Sequence, residues 1–465
     1  MGRIRNERLA ARIAETGWSQ PRTAAAVLRV AQESGAAELY GISRSHIAMW
    51  IQGTRPSGRA PRILCETLTR RLGRPITLAD IGLESEPARP AADGSDWGTD
   101  TLTMLAALGR DDLDRVHRRQ ILATSAYSVA GLTIPGAAWW QKAGATAGKR
   151  PANSTGTATA ADVEDIRQTT AFFSARDQQR GGGAGRSALA AHLTMEAAQH
   201  LTGRFAGDQV RRDLYTAVSE MAYLAGWMGF DASEHRTAQR YFILAVKLAA
   251  EAGDGPLAGH ILRAMAHQAV DLGHPRQALD LAAASMESTR YGRASRREKA
   301  LLSIVHARAL AVSGDRTGAL AAIGRAERDL GRDTGDAPSR VGFFAEASLA
   351  HETACALRDL GNPRDAEIHF RRSVATRRHR LHARTHSVTL GYLGAVQLRQ
   401  GHLDEACATW NHALDAMSGI HSGRARDVIV RMRADLSPLR NRGGRHVVEL
   451  DRRAREALHT LRAVP

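Results

Sequence analysis

The chain has 465 residues and a formal net charge of +16. That length exceeds one compact core, so we expect two or three domains. Only 5% of the residues are aromatic, and the Ala-, Leu- and Arg-rich composition argues against a sheet-rich protein and favours an all-α fold. The positive charge suggests a polyanionic partner such as nucleic acid, although an arginine bias also arises from GC-rich codon usage.

Cysteine usage and the first residues of the chain bear on its compartment. Cys65, Cys355 and Cys407 lie far apart and form no CxxC pair, so the sequence predicts neither a disulfide framework nor a zinc site. Residues 1–20 carry four arginines and lack the apolar segment of a secretory signal. We therefore expect a cytoplasmic protein.

Residues 1–83 have the pattern of a small helical domain. Apolar residues recur at helical spacing over residues 6–15, from about Gln20 onward, and again after Pro61. Residues 1–82 hold 13 Arg against six Asp or Glu. Such a basic balance is typical of a domain that binds DNA, and the alternative is an interaction module whose arginines are simply solvated.

Between these helices lies a short predicted helix with one polar face. Ser43 is a suitable N-cap, and Gly53 is a suitable C-terminal stop. Residues on the buried face follow i, i+3, i+4 spacing, namely Ile47, Trp50 and Ile51. The outward face is then formed by Arg44, Ser45, Met49 and Gln52.

This segment resembles the Xre (Cro/repressor-like) helix-turn-helix family over roughly residues 6–83. The likeness is carried by Ser43, Ile47, Trp50 and Gly53, followed by a Thr-Arg-Pro turn and a Leu-rich helix. It implies binding to double-stranded DNA, with the outward residues of the short helix towards base edges, namely Arg44, Ser45, Met49 and Gln52. It also implies phosphate contacts from Gln20, Arg55 and Arg59.

The spacing from Gln20 to Ser43 is about a dozen residues longer than the compact family pattern. The second helix must therefore be extended or interrupted. This departure motivates an alternative hypothesis, in which the domain no longer binds DNA and the whole chain is an interaction scaffold.

Residues 84–162 are predicted to be a linker range. Residues 84–100 and 143–162 are rich in small residues and lack helical periodicity. Within the range, Arg118 and Arg119 precede an uncharged run that ends at Trp140. We expect the segment 118–140 to dock against protein because Thr, Ser, Gly and Pro dilute its apolar character. The alternative is a twin-arginine-like segment that leads to membrane association or export.

Residues 163–465 contain five copies of one pattern, spaced by 40, 41, 47 and 40 residues. A turn residue is followed five positions later by Ala in Ser233/Ala238, Gly273/Ala278, Gly314/Ala319, Gly361/Ala366 and Gly401/Ala406. Small residues precede each Ala by twelve positions, at Gly226, Ala266, Ala307, Ala354 and Gly394. Larger side chains follow four positions after most of them, at Phe242, Ile323, Phe370 and Trp410, whereas Ala282 departs from the rule.

The pattern resembles the tetratricopeptide repeat, in which two antiparallel helices approach closely at small residues. Helices near 163–175 and 187–201 are expected to begin the array, and helices near 425–435 and 445–462 to end it. The alternative is an irregular helical bundle. An Xre-like domain joined to such a solenoid resembles bacterial peptide-responsive regulators and actinomycete regulators of development and secondary metabolism. The resemblance implies a regulator, expected to be a homodimer, whose repeat domain binds a peptide, small molecule or protein partner.

The sequence contains no recognisable catalytic motif. The Gly-rich run 180–187 has Arg180 and Arg186 at the positions where a phosphate-binding loop needs Gly and Lys, so it is interpreted as a loop between helices. His379, His382 and His386 lie among arginines that would repel a cation. We therefore predict no catalytic residue, no cofactor, no metal site and no enzymatic activity.

Overall fold

A computed structural model describes residues 5–33, 36–72, 76–78, 80–83, 97–117, 127–147, 156–439 and 444–463. The fold is all-α, as the composition predicts. Within the described ranges, strands are limited to β1 (Thr157–Ala158) and β2 (Arg204–Phe205), which pair in parallel with Thr157 opposite Arg204. The chain forms two compact units, the first within residues 1–104 and 110–135 and the second within residues 105–109 and 136–465.

The first unit begins with four helices that match the predicted pattern. They are α1 (Glu7–Glu15), α2 (Gln20–Glu33), α3 (Arg44–Ile51) and α4 (Ala60–Leu72), with a 3₁₀ helix (Ala37–Leu39) between α2 and α3. Further along the chain lie α5 (Thr101–His117), which has residues in both units, and a 3₁₀ helix (Ala130–Leu132). The core is apolar and fully buried at Leu9, Val27, Ile47, Leu64 and Leu68.

Asn6 joins the start of α1 to two other segments by hydrogen bonds. The Asn6 side chain caps α1 by accepting a hydrogen bond from the Leu9 N–H at 3.0 Å. Its backbone N–H donates to the Ile51 carbonyl at 2.8 Å, and its side-chain amide donates to the Ile81 carbonyl at 2.9 Å. The end of α3 and the segment after α4 are therefore held against the same helix terminus.

A buried carboxylate ties residues 127–132 to α4 within the first unit. Glu66 accepts hydrogen bonds from the Val129 N–H at 3.0 Å and from Arg70 Nε at 2.8 Å. Tyr127 and Leu132 are buried nearby in the chain. This part of the segment 118–140 therefore packs against protein.

The rest of the predicted linker range is described only in part. Residues 84–96, 118–126 and 148–155 lie outside the described residues, and these include Arg118 and Arg119. Helices α5 and α6 (Ala137–Ala147) fall within the range. None of the helices in the described ranges has the length and apolar character needed to span a membrane.

The second unit continues from α6 and β1 with helices of unequal length. Before the repeats lie α7 (Ala160–Arg180), α8 (Arg186–His192), a π-helix (Leu193–Ala197) and α9 (Ala198–Leu201). The repeats follow as α10 (Asp208–Asp231), α11 (His235–Ala252), α12 (Gly255–Asp271), α13 (Pro275–Ser285), α14 (Ser288–Tyr291), α15 (Arg296–Val312), α16 (Arg316–Gly331), a 3₁₀ helix (Ser339–Val341), α17 (Glu346–Asp359) and α18 (Pro363–Thr376). The fifth repeat is the hairpin of α19 (Ala383–Arg399) and α20 (Leu403–Ala416), and the unit ends with α21 (Gly423–Leu436), a 3₁₀ helix (Ser437–Leu439) and α22 (Gly444–Ala463).

The predicted repeats are helical hairpins, and their turn residues share one backbone conformation. All five have positive φ: Ser233 (63°), Gly273 (76°), Gly314 (86°), Gly361 (74°) and Gly401 (87°). Gly adopts this region without steric cost, and Ser233 is the one non-glycine that does so in the described ranges. The Ala five positions later is fully buried in every copy, at positions 238, 278, 319, 366 and 406.

Small residues in one helix of a hairpin receive large residues from the other. A Cβ atom added to Gly226 would lie 2.7 Å from the Phe242 ring, and one added to Gly394 would lie 2.5 Å from the Trp410 ring. These distances are shorter than van der Waals contact. In these two hairpins the sequence pattern therefore marks a point of close approach between the paired helices.

The first helices of the second unit also contact the last. Arg384 in α19 pairs with Asp177 at the end of α7 and with Asp231 at the end of α10, each at 3.1 Å. The Ser422 hydroxyl donates to Asp231 at 3.0 Å, and the Gly183 N–H donates to the His421 carbonyl at 2.9 Å. The array therefore closes on itself, whereas the repeat pattern predicts only contacts between successive hairpins.

Candidate functional site

Helix α3 has the predicted boundaries, and of the three residues on its predicted buried face Ile47 and Trp50 are buried and Ile51 is half-buried. Ser43 precedes its first residue, and the Ser43 N–H donates to His46 Nδ1 at 3.3 Å. Gly53, with φ of 98°, follows its C-terminal end. Ile47 and Trp50 are buried in the core of the first unit. The helix is thus anchored along one side by these two apolar side chains.

The opposite side of α3 is exposed. All four predicted base-reading residues lie there, namely Arg44, Ser45, Met49 and Gln52. At 100° per residue they fall within an arc of about 140°. An arc of this width can face one groove of a duplex, and the residues in it can donate, accept or make apolar contacts to base edges.

Two further arginines join the predicted Arg55 beside the C-terminal end of α3. Arg5 and Arg8 line the same surface concavity as Arg55, together with Gly53, and all three arginine side chains are exposed. Because Arg5 and Arg8 precede the short helix by some forty residues, no motif points to them. Only the basic balance of the first domain indicated that such residues exist.

The other two predicted phosphate contacts have different surroundings. Arg59 binds Glu38 in a two-pronged ion pair, with Nε–Oε1 at 2.6 Å and Nη2–Oε2 at 2.5 Å. Hydrogen bonding to Arg59 lowers the pKa of Glu38 to about 2. Arg59 would therefore have to leave Glu38 to meet a phosphate. Gln20 is the first residue of α2 and is half-buried.

The long spacing between Gln20 and Ser43 has a structural explanation. Helix α2 runs to Glu33, and the described residues 36–43, which include a 3₁₀ helix (Ala37–Leu39), precede α3. Ala36 is buried, and its N–H donates to the Ala31 carbonyl at 2.8 Å. Most helix-turn-helix motifs use a turn of about 3–4 residues, so this connector is longer than usual.

The second unit encloses two cavities among helices α10, α12, α15, α17, α19 and α21. The smaller has a volume of ≈ 80 Å³ and the larger ≈ 450 Å³. Arg424 lines both cavities. The larger volume lies within the range of small-molecule sites. Sequence reasoning missed both cavities because their charged lining residues come from segments that are far apart in the chain.

A compact ionic cluster lies beside the cavities. Arg308 donates to Asp271 at 2.9 Å, to Glu352 at 3.1 Å and to His267 at 3.1 Å. Burial alone would raise the pKa of Asp271 and Glu352, but His267 and Arg308 outweigh it and lower the pKa of Glu352 to about 2. Both carboxylates are therefore ionised at neutral pH.

His351 in α17 is held neutral by its surroundings. Burial lowers its pKa to about 3, Arg377 and Arg424 act in the same direction, and Glu352 acts against them. Its Nδ1 lies 2.9 Å from the Thr389 hydroxyl, which itself donates to the Thr385 carbonyl. Nδ1 therefore carries the proton and donates to Thr389.

Because His351 is neutral in the folded chain, we expect the free energy of unfolding to decrease as the pH falls. The pKa of His351 is about 3 when folded and about 6.5 when unfolded, so the unfolded state binds a proton first as the pH falls. The free energy of unfolding should then decrease by about 2 kcal/mol between pH 7 and pH 5 from this residue alone. We expect His351→Gln to show a smaller decrease than the parent chain in urea titrations at the two pH values.

A matched control for this prediction is His459→Gln, which changes an exposed histidine in α22. It should leave the difference between pH 7 and pH 5 as it is in the parent chain. An identical pH dependence in all three proteins would show that His351 does not need to stay neutral on folding.

The Gly-rich run 180–187 contains a loop between two helices, and two of the three grouped histidines lie close together. Residues 181–185 join α7 to α8, and the Gly182 N–H donates to Asp231 at 2.8 Å. His379 and His386 have ring centroids 5.8 Å apart. Burial lowers the pKa of His382 and His386, and neighbouring Arg377 lowers both further.

One group of two glutamates and a histidine is close enough together to be compared with a metal site. Glu367, His402 and Glu405 bring ligand atoms within 4.8 Å of one another. Arg371 already binds both carboxylates, with Nη2 2.8 Å from Glu367 and 2.7 Å from Glu405. Because the guanidinium supplies the positive charge there, this group supports no metal proposal.

Comparison with known proteins gives one partial match. A family described as the SP15 N-terminal domain matches residues 9–84, which span α1 to α4. No curated protein matches the chain.

Proposed function

We propose that the chain is a DNA-binding transcriptional regulator of the Xre-like type, in which the second unit binds a ligand or partner and controls DNA binding. The observation that carries the proposal is the exposed face of α3. Ile47 and Trp50 hold the helix in the core, and the opposite side presents four residues capable of groove contacts. The cavities of the second unit support the sensory role.

Each exposed residue of α3 has a role that its chemistry suits. Arg44 can donate two hydrogen bonds to guanine, Ser45 can meet either kind of base edge, and Met49 can contact the methyl group of thymine. Arg55 suits phosphate oxygens and would position the helix without reading sequence. In a homodimer, two such helices would contact half-sites one helical turn apart.

A selection experiment on the full chain tests this proposal. Random duplexes enriched by the protein should share a short motif. We expect Arg44→Ala to weaken binding to that motif by about 1–3 kcal/mol and to relax preference at one base pair. Arg55→Ala should weaken binding to all sequences and reduce the slope of log K against log salt by about one. Fluorescence anisotropy at several salt concentrations measures both effects.

The control is Arg316→Ala, which removes an exposed arginine from α16 in the second unit. It should leave both the affinity and the preferred motif intact. Equal losses from Arg44→Ala and Arg55→Ala at every sequence would contradict the division between base and phosphate contacts.

An interaction scaffold is the second candidate function. The observations that favour it are the long connector before α3 and the ion pair that occupies Arg59. Footprinting of a tagged chain in cells separates the two candidates: discrete promoter peaks support the regulator, and uniform background with intact partner binding supports the scaffold. With either function we propose a cytoplasmic location, and neither function assigns the chain a catalytic activity.

A further inference from the structure

The smaller cavity of the second unit has an excess of positive side chains. The arginines among its lining residues are Arg263, Arg340, Arg377, Arg384 and Arg424. The carboxylates among them are Asp177 and Glu352. Arg263, Arg377 and Arg384 are buried, so water can screen their charges only poorly.

Three of the five arginines have carboxylate partners in the described ranges. The pairs are Arg384 with Asp177 and Asp231, Arg340 with Glu220 and Glu298, and Arg424 with Asp271. These arginines are compensated in the way that buried charges require. The remaining two arginines form no ion pair with a carboxylate in the described part of the chain, and their hydrogen-bond acceptors are neutral groups.

Arg263 in α12 is buried, with 2% of its surface exposed, and its partners are neutral. Its Nη2 donates to the Tyr223 hydroxyl at 2.7 Å and to His260 Nε2 at 3.2 Å. The pKa of His260 lies well below its usual value because of burial and the charge of Arg263. Arg263 Nε has no hydrogen-bond partner in the described part of the chain.

Arg377, just after α18, is in the same situation with 7% of its surface exposed. Its Nη2 donates to the Ala347 carbonyl at 2.9 Å and to the Ser373 hydroxyl at 3.0 Å. Its Nε has no partner among the described residues. Burial lowers its pKa to about 10, the negative charge of Glu352 acts against this shift, and the positive charge of Arg384 adds to it. The residue remains charged at neutral pH.

A buried guanidinium with only neutral partners is unfavourable, because its desolvation is not repaid by an opposite charge. Two of them beside one cavity, each with an orphan Nε–H, need an anion with several acceptor oxygens. We propose that this cavity binds the carboxylate or phosphate group of a small-molecule ligand, held by Arg263 and Arg377. The volume of ≈ 80 Å³ suits such a group, since one water needs roughly 10–15 Å³ by the same measure.

The proposal names the charge of the ligand that the regulator would sense, and in that respect it rests on the proposed function. Binding of the anion is measured without DNA, so the two proposals fail separately. Tyr223, Trp227 and Phe343 surround Arg263 with ring centroids 5.5–5.9 Å from its guanidinium carbon. These rings exclude water and strengthen the electrostatic attraction for an anion.

Calorimetric titration of the full chain tests the proposal with two probes, inorganic phosphate and acetate, at constant ionic strength. Arg263→Gln and Arg377→Gln should each lower the affinity for the preferred probe by about tenfold or more, which corresponds to one lost charge-assisted hydrogen bond. The matched control is Arg372→Gln, because Arg372 is an exposed arginine five residues from Arg377. It should bind as the parent chain does.

The outcomes separate clearly. Tighter binding of phosphate than of acetate supports a phosphate group, and the reverse supports a carboxylate. If the parent chain and both cavity variants bind the probe equally, the anion is attracted only to surface arginines, and the proposal is overturned. Absence of binding of either probe to the parent chain would also overturn it. Normal DNA binding alongside that result would leave the proposed regulator intact. Circular dichroism before each titration shows that the variants are folded, and Arg263→Lys, which keeps the charge, should recover part of the affinity.

Discussion

Arg384→Met is expected to destabilise the second unit by about 3–5 kcal/mol. Arg384 is buried between Asp177 and Asp231, which are each 1% exposed, and it pairs with both at 3.1 Å. Met keeps an unbranched side chain but has no guanidinium group, so two buried carboxylates lose the cation that pairs with them. Because domains are stable by only about 5–15 kcal/mol, the loss should be visible as a large shift in the urea midpoint.

Arg372→Met is the matched control for this variant. Arg372 pairs with Glu346 at 2.9 Å, a similar distance, but both side chains are 55% exposed. An exposed pair contributes about 0–1 kcal/mol, so the control should stay close to the parent chain. Equal effects from the two substitutions would show that burial does not set the value of these ion pairs.

Two further measurements identify the carboxylates as the cause. Adding Asp177→Asn to Arg384→Met should recover part of the lost stability, because one unpaired charge is removed. Lowering the pH should also reduce the penalty. Burial raises the pKa of Asp177 to about 6 even with Arg384 present; a carboxyl whose pKa is higher when folded than when unfolded loses its penalty as the pH falls through the folded value. A penalty that grows towards pH 5 would contradict this explanation.

The ion pairs of Arg384 also show what the sequence cannot predict. Asp177 and Arg384 are separated by 207 positions, and no period or motif relates them. The repeat pattern predicts each hairpin because the two helices of a hairpin are close in the chain. The repeat pattern does not predict that the array closes, because closure depends on small rotations that accumulate over successive hairpins.

The first unit shows the same division between local and distant contacts. Ser43 and Gly53 predict the limits of α3, because capping is decided by residues within one turn of the helix. Arg59, by contrast, has the sequence surroundings of a phosphate contact, yet it binds Glu38, 21 positions earlier. A charged residue in a loop can be assigned a partner only when the path of the connector is known.

The cavities lie beyond sequence reasoning for a related reason. Arg263 and Arg377 belong to different hairpins, and neither stands in a recognisable motif. In the sequence they are two arginines among many. Only the fold shows that these two are buried and face one cavity, whereas others, such as Arg372, form exposed pairs.

Trp410→Ala is expected to cost about 3–5 kcal/mol, the usual loss for a large aromatic residue in a core. The Trp410 ring is 1% exposed, lies against Gly394, and donates from Nε1 to the Gly391 carbonyl at 3.0 Å. Gly394→Ala should also destabilise, by about 1–3 kcal/mol, because the added methyl group would overlap the ring. Urea unfolding of each variant measures both losses.

The expected loss of stability in Gly394→Ala is informative because a Gly to Ala change usually has the opposite sign in a helix. Gly to Ala inside a helix ordinarily stabilises by up to about 1 kcal/mol, and that is the expectation for the control Gly324→Ala in α16, where the new methyl group would meet only the flexible end of Arg328. If close approach to Trp410 destabilises Gly394→Ala, the two losses should not add in the double variant Gly394→Ala/Trp410→Ala. The double variant should be more stable than their sum predicts, because the methyl group then occupies space that the ring has left. Strict additivity would show that Gly394 is needed for a reason other than the ring, and the small-to-large pairing would lose its role in holding the hairpins together.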